Sequence, residues 1–256
     1  MLLVIDVGNT NIAMGVYDGD KLCARFRLAT LHERSRDEYG VMIVNFMNHR
    51  NICIDDIEAV IIASVVPQVM YSLERAVKDY VHKTPVVVSA ATDFGLKILT
   101  DNPSELGADR IVNAFAAYHK YKSPVIVVDF GTATTFCSVS GKGEYNGGVI
   151  CSGIKISLDA LFQKTSKLPR VEIVKPDRII GKNTVSSMQA GIYYGYIGQV
   201  NYIVKMMKEE MGEPDTKVIA TGGLARLISE DTEAFDYLDS NLTLDGLRLI
   251  YERNFK

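Results

Sequence analysis

The sequence predicts an α/β protein in which one structural half is written twice. Three observations carry this. The chain opens MLLVIDVGNTNIAMGVYDGD, and PVIVVDFGTATTFCSVSGKG stands at 124–143. Each stretch is an apolar run, then Asp, then Gly, then hydroxyl and amide residues, then a second apolar run and a turn. Segments of helical periodicity separate the short β-branched runs. The repeat distance is far beyond the period of roughly 20–50 residues that marks a solenoid, so this is a duplicated half.

The elements follow in order. Residues 2–5 form a short apolar, partly β-branched run suited to a buried strand. Residues 12–17 read as a second strand, Asp18-Gly19-Asp20 as a hairpin turn, and 21–28 as a third strand, so the chain begins as an antiparallel meander. A helix is expected over 36–48, with Tyr39, Ile43 and Phe46 or Met47 on one face. A strand follows at 59–64, then a helix over 68–81 after Pro67, a short strand at 85–88, and a helix over 107–121 with Ile111, Phe115 and Tyr118 on one face.

The pattern then restarts. Strands are expected at 125–128 and 134–139, a turn at 140–143, and a third strand opening at Gly147. Residues 158–162 read as helix. The polar stretch 164–183, with Pro169, Pro176 and Gly181, reads as a loop-rich excursion. A long helix over 186–211 contains Gly191, Gly195 and Gly198, which predict close packing against another helix or backbone. A short strand at 218–220 leads into Thr221-Gly222-Gly223, and 242–254 reads as a closing helix. The expected halves are 1–118 and 119–256.

Composition excludes several classes. The 256 residues are enough for one large domain or two ordinary ones, and 47% apolar with 23% charged residues is ordinary for a globular chain. A net charge of −3, from 28 basic and 31 acidic residues, gives no electrostatic case for nucleic acid or an anionic membrane. Cys23, Cys53, Cys137 and Cys151 match neither a zinc site nor a disulfide framework, and buried thiols in a reducing cytoplasm are expected. His32, His49, His82 and His119 lack ligand spacing and are expected on the surface or on helices. MLLVIDVG has no basic region before its apolar run, so no signal peptide is expected, and no run is long enough for a membrane span.

The chemistry gathers at the two Asp-Gly loops. Asp6 and Asp129 fall at strand ends. Gly8 and Gly131 let the backbone come close to a ligand, and Asn9, Thr10, Asn11, Thr132, Thr134 and Thr135 offer neutral donors. One such loop is an ordinary turn. Two after matching strands point to polyphosphate held from both sides, with the carboxylates organising metal ions. Phosphoryl transfer needs positioning and charge neutralisation more than covalent help. Neither GxxxxGK[ST] nor GxGxxG is present. Beside the hairpins, Thr221-Gly222-Gly223 becomes an adenosine wall, although alone it would be a strand-to-helix turn.

These elements together resemble the superfamily of actin, heat-shock chaperone ATPases and sugar kinases. Four motifs in order, DVGNTN at 6–11, GADR at 107–110, DFGTATT at 129–135 and GGVICSG at 147–153, resemble type III pantothenate kinases. The resemblance runs from the first residues to Gly223. It implies duplicated ribonuclease H-like (actin-like ATPase) halves, each a mixed sheet flanked by helices, with ATP in the cleft between. It implies transfer of the γ-phosphoryl group of ATP to the 4′-hydroxyl of pantothenate, the first step of coenzyme A synthesis. The implied general base is Asp109, and Asp129 is the implied ligand of K⁺ or NH₄⁺. ATP contacts fall to Asp6, Val7, Gly8, Asn9, Thr10, Asn11, Ile12 and Ala13, with Thr132 opposite. Pantothenate contacts fall to Gly107, Ala108, Asp109, Arg110 and Thr184. A cytoplasmic homodimer, with Mg²⁺ accompanying ATP, completes the implied set.

The residues themselves say less. Asp109 and Arg110 sit where a helix begins, and a helix-start Asp is an ordinary feature. With a phosphate site nearby, Asp109 is a sensible acceptor for a hydroxyl proton, and Arg110 a bidentate anchor for a carboxylate. Whether Asp6 or Asp129 holds Mg²⁺ is left open by the residues alone. One position departs from the family: Thr100, in Thr100-Asp101-Asn102-Pro103, stands where a Tyr is usual. It lacks the ring's apolar face, so an altered fit to pantothenate is expected. Ser152 stands where Pro is common. The competing readings are a superfamily kinase with another substrate, a non-catalytic accessory transcription factor, and an ATP-gated interaction module.

Overall fold

The computed structural model describes residues 1–89 and 91–255. Strands are β1 (Leu2–Val7), β2 (Asn11–Asp18), β3 (Lys21–Ala29), β4 (Ala59–Ser64), β5 (Val86–Val87), β6 (Lys97–Ile98), β7 (Val125–Phe130), β8 (Ala133–Val139), β9 (Glu144–Ser152), β10 (Lys217–Gly222) and β11 (Tyr237–Leu238). Helices are α1 (Arg36–His49), α2 (Pro67–Ala76), α3 (Ala108–Tyr121), α4 (Ile154–Lys164), α5 (Thr184–Met211), α6 (Ala225–Ser229) and α7 (Leu242–Phe255). They fall into two compact units.

The first unit holds residues 1–95, 102–116 and the segment from Leu242 onward. Its sheet runs β3-β2-β1-β4-β5, with β1, β2 and β3 antiparallel and β4 parallel to β1. Alternation puts Leu3, Ile5 and Val7 of β1 on one face with Ile12, Met14 and Val16 of β2, against Tyr39, Ile43 and Met47 of α1 and Val69 and Leu73 of α2. Ser35 and Glu38 form a capping box that starts α1, and Pro67 sits in the first turn of α2. That helix runs on as one π turn, Val77–Val81, and stops at His82, which is left-handed with φ 57°.

Leu2 and Val4 are buried as well, so the sheet needs cover on its other face. That cover is α7, which packs on β1, β2 and β4. Tyr17 donates to Asp245 Oδ1 at 2.6 Å, and Thr243 donates to Asn113 Oδ1 of α3 at 2.7 Å. A Cβ on Gly246 would stand 2.8 Å from the Val112 carbonyl oxygen, so α7 and α3 meet backbone to backbone. The compact units differ from the expected halves at 118/119: the last helix covers the first sheet, and residues 96–101 group with the second unit.

The second unit holds residues 96–101 and 117–241. Its sheet runs β11-β10-β7-β8-β9-β6. Strands β7, β8 and β9 are an antiparallel meander, β10 is parallel to β7, and β11 to β10. This repeats the first sheet neighbour for neighbour, with β6 added beside β9. Ile126, Val128, Phe130 and Phe136 pack against Tyr193, Ile197 and Val200 of α5, with Ile154 and Leu158 of α4.

Two expectations change. Gly191, Gly195 and Gly198 meet nothing within 4 Å and lie on an exposed face of α5, so they do not mark close packing within the chain. Of the cysteines only Cys137 is buried; Cys23 and Cys53 are exposed, Cys151 is half-buried, and all four are free thiols. Among the described residues no helix is long and apolar enough to cross a membrane.

Candidate active site

In the first unit, β1 ends at Val7, which pairs with Ile12 of β2 and Ser64 of β4. The loop closes by a bond from Gly8 N to the Asn11 carbonyl at 3.0 Å, leaving Asn9, Thr10 and Asn11 exposed. Thr30, just past β3, clamps it: its hydroxyl donates to the Gly8 carbonyl at 2.7 Å and its amide to the Thr10 carbonyl at 3.0 Å. Thr30 carries no motif, and its only signal in the sequence is a polar residue at the end of a strand. Asp6 is half-buried, between Ala13 on β2 and Ala63 on β4.

Asp109 belongs to the same unit. It occupies the first turn of α3, and its Oδ1 accepts from the Arg110 amide at 2.8 Å. Gly107 makes room for it, since a Cβ there would lie 2.7 Å from that oxygen and 3.7 Å from Val65 Cγ1. Val65 in turn donates its amide to the Val7 carbonyl at 3.0 Å. The end of β1 and the turn carrying Asp109 therefore flank one valine, a link the motifs do not reveal. Burial pushes the Asp109 carboxyl above the usual carboxylate range, and the amide and charge of Arg110 pull it back less. A carboxylate so raised is a better proton acceptor than a solvated one.

In the second unit, Asp129 lies between Thr135 of β8 and Thr221 of β10. Its loop is one residue shorter than the first, because Asp6 pairs with Ala13 where Asp129 pairs with Thr135. The Gly131 amide reaches the Ala133 carbonyl at 3.1 Å, and Thr132 is exposed. Two glycines fit against this loop. A Cβ on Gly153 would lie 2.0 Å from the Thr132 carbonyl oxygen. One on Gly222, whose φ is +93°, would lie 2.6 Å from Asp129 Oδ1 and from the Phe130 oxygen. Gly223 meets nothing within 4 Å. The Gly-Gly pair thus divides its work, one residue seating Asp129 and the other facing open space.

Thr100 follows β6, with its methyl 3.8 Å from where a Cβ on Gly147 would be. Its hydroxyl is buried with no hydrogen-bond partner among the described residues, as is the hydroxyl of Thr134 beside the second loop. Thr184 is exposed at the first position of α5, after Asn183 caps the helix by accepting from the Ser186 amide at 2.9 Å. Among the predicted residues, Asp6–Ala13 and Gly107–Arg110 lie in the first unit, and Thr100, Asp129, Thr132, Thr184, Gly222 and Gly223 in the second.

Solved structures show the same fold. A Campylobacter jejuni protein described as a Baf family transcriptional activator matches with a TM-score of 0.62 at 18% identity, covering 98% of each chain. A Sinorhizobium meliloti protein described as a 2-dehydro-3-deoxygalactonokinase matches at 0.62 with 9% identity, over 100% of this chain and 97% of that one. Component A of the (R)-2-hydroxyglutaryl-CoA dehydratase of Acidaminococcus fermentans matches at 0.52 with 14% identity, over 96% and 94%. At these identities the likeness establishes architecture alone, two mixed sheets with flanking helices. The family model for type III pantothenate kinase matches residues 2–206, which takes in both Asp-Gly loops and the GADR turn. The chain belongs to the type III pantothenate kinase family.

Proposed function

We propose that this ATP-dependent kinase phosphorylates the 4′-hydroxyl of pantothenate with Asp109 as general base. The observation that carries the assignment is the place of Asp109 in the first turn of α3, where Gly107 leaves room for its carboxyl and burial raises it. A primary alcohol attacks phosphorus well only if its proton leaves as the bond forms. Asp109 accepts that proton, and Arg110 pairs with the substrate carboxylate through its planar fork. Thr100, Gly107, Ala108 and Thr184 complete the pantothenate contacts.

Asp6, Val7, Gly8, Asn9, Thr10, Asn11, Ile12 and Ala13 take the phosphates of ATP, with Thr132, Gly222 and Gly223 completing its contacts. The family's ATP-dependent chemistry implies a divalent metal ion. Mg²⁺ dehydrates reluctantly and is held by one or two carboxylates together with substrate phosphates, a role open to Asp6 or Asp129. When bound, the ion neutralises phosphate charge. For K⁺ or NH₄⁺ the candidate is Asp129. Its carboxylate lies at the end of β7 with the Gly222 backbone packed against it, and a carboxylate is a hard oxygen ligand suited to such a cation.

A homodimer is the reading that best accounts for α5. Gly191, Gly195 and Gly198 open a groove on its exposed face, continued by Tyr202 and Met206, which are 66% and 44% exposed. A second copy would cover it. A cytoplasmic location follows from the substrates. Sedimentation of the purified chain tests the dimer. Coupled ADP release with ATP, Mg²⁺ and pantothenate, in potassium or sodium alone, tests the activity and its cation. Turnover in sodium equal to that in potassium would remove the cation role of Asp129.

A further inference from the structure

We propose that Arg27 is a further phosphate-binding residue, its guanidinium crossing Ala13 to reach the ATP phosphates held above Asp6. The inference rests on Asp6–Ala13 being the ATP loop.

The register makes the case. Leu3, Ile5, Val7, Ile12, Met14, Val16, Ala24 and Phe26 are buried on one face of the first sheet. Side chains alternate along a strand, so Asp6, Ala13 and Arg27 project from the other face. Asp6 pairs with Ala13, and Ala13 with Arg27, so the three lie in one row across β1, β2 and β3. The row continues through Asp6 to Ala63 on β4. Asp6 therefore has a methyl group on either side, and nothing bulky separates it from Arg27. Adjacent strands lie ~4.8 Å apart, which puts the two Cα atoms about 10 Å from each other. An arginine side chain laid across one alanine covers most of that distance.

Arg27 is exposed, and its side chain makes no hydrogen bond or ion pair among the described residues. Its position relative to the loop is fixed, because Thr30, three residues on, bonds both Gly8 and Thr10. Arg25 projects from the same face, and burial, then the like charge of Arg27, lower its pKa. A polyanion seated on the loop would face two cations here, and a guanidinium binds phosphate oxygens bidentately. On an edge strand such as β3, a solvated charge is the ordinary alternative.

Titration of the full-length chain with Mg²⁺ and ATP, ADP or AMP separates the two. Arg27→Ala is expected to weaken ATP binding by about 10–100-fold, the range for one charge-assisted hydrogen bond. ADP should lose less, AMP less than about twofold, and the pantothenate KM should not change. Arg27→Lys should recover part of the loss, restoring the charge without the fork. Gly8→Val, confirmed as folded by its melting curve, probes the loop itself. Normal ATP affinity in Arg27→Ala with loss in Gly8→Val would overturn the role of Arg27 and keep the ATP loop. Normal affinity in both would overturn the loop assignment and, with it, the proposal. Equal losses for AMP and ATP in Arg27→Ala would mark Arg27 as structural and overturn it too.

Discussion

The backbone of Gly222 packs directly against the carboxylate of Asp129: a Cβ at 222 would lie 2.6 Å from Asp129 Oδ1. The φ of +93° closes the position to other residues a second time. Gly222→Ala should therefore cost about 1–3 kcal/mol and displace Asp129. The expected result is a lower melting temperature together with a reduced response of turnover to potassium. An alanine variant that melts and responds like the wild type would show that β10 shifts freely here.

Asp109→Asn should lower kcat by ~10²–10⁴-fold with ATP affinity largely kept. Its stability should move the other way. Burial raises the folded-state pKa of Asp109, so its contribution to stability is fully present below the unfolded pKa and is lost as pH rises through the folded value. Wherever that buried carboxyl is ionised, its charge is a cost that Asn removes. The variant should melt at the same or a higher temperature at pH 7, with the difference fading in acid. Loss of stability at pH 7 that persists in acid would point to a structural role instead.

Thr100 can be tested in two directions. Its hydroxyl is buried without a partner among the described residues, so Thr100→Val should leave stability unchanged or raise it by up to about 1 kcal/mol. If that hydroxyl serves pantothenate, the KM for pantothenate should rise while the KM for ATP holds. Thr100→Tyr should lower the pantothenate KM, and unchanged values in both variants would make the position silent.

Removing the segment from Leu242 onward should uncover Leu2 and Val4 and loosen the first unit before the second. Hydrogen exchange should then show lost protection in β1, β2 and β4, while β7, β8 and β10 keep theirs. Loss confined to the second unit would contradict the placement of α7.

The duplicated meanders and their Asp-Gly loops were legible because each is local: strand, turn and strand are written consecutively. GADR was legible for the same reason, as a turn opening a helix. The destination of α7 was not, because amphipathic periodicity says that a helix has a buried face and not which sheet receives it. Gly191, Gly195 and Gly198 pointed to close approach without saying to what. Small residues at helical spacing allow close approach, yet nothing among the described residues takes it up. Strands β5, β6 and β11, at two residues each, are too short to show periodicity, although a run at 85–88 anticipated β5. Thr30, Val65 and the fit of Gly222 to Asp129 depend on register between distant strands, which a linear reading does not supply.

The most direct test of the central claim is ADP release measured with ATP and Mg²⁺, with and without pantothenate, for the wild type and Asp109→Asn side by side. The expected result is pantothenate-dependent turnover by the wild type and a loss of at least about a hundredfold in the variant, with ATP still bound. Comparable pantothenate-dependent turnover by both folded proteins would contradict the assignment of Asp109 as the base.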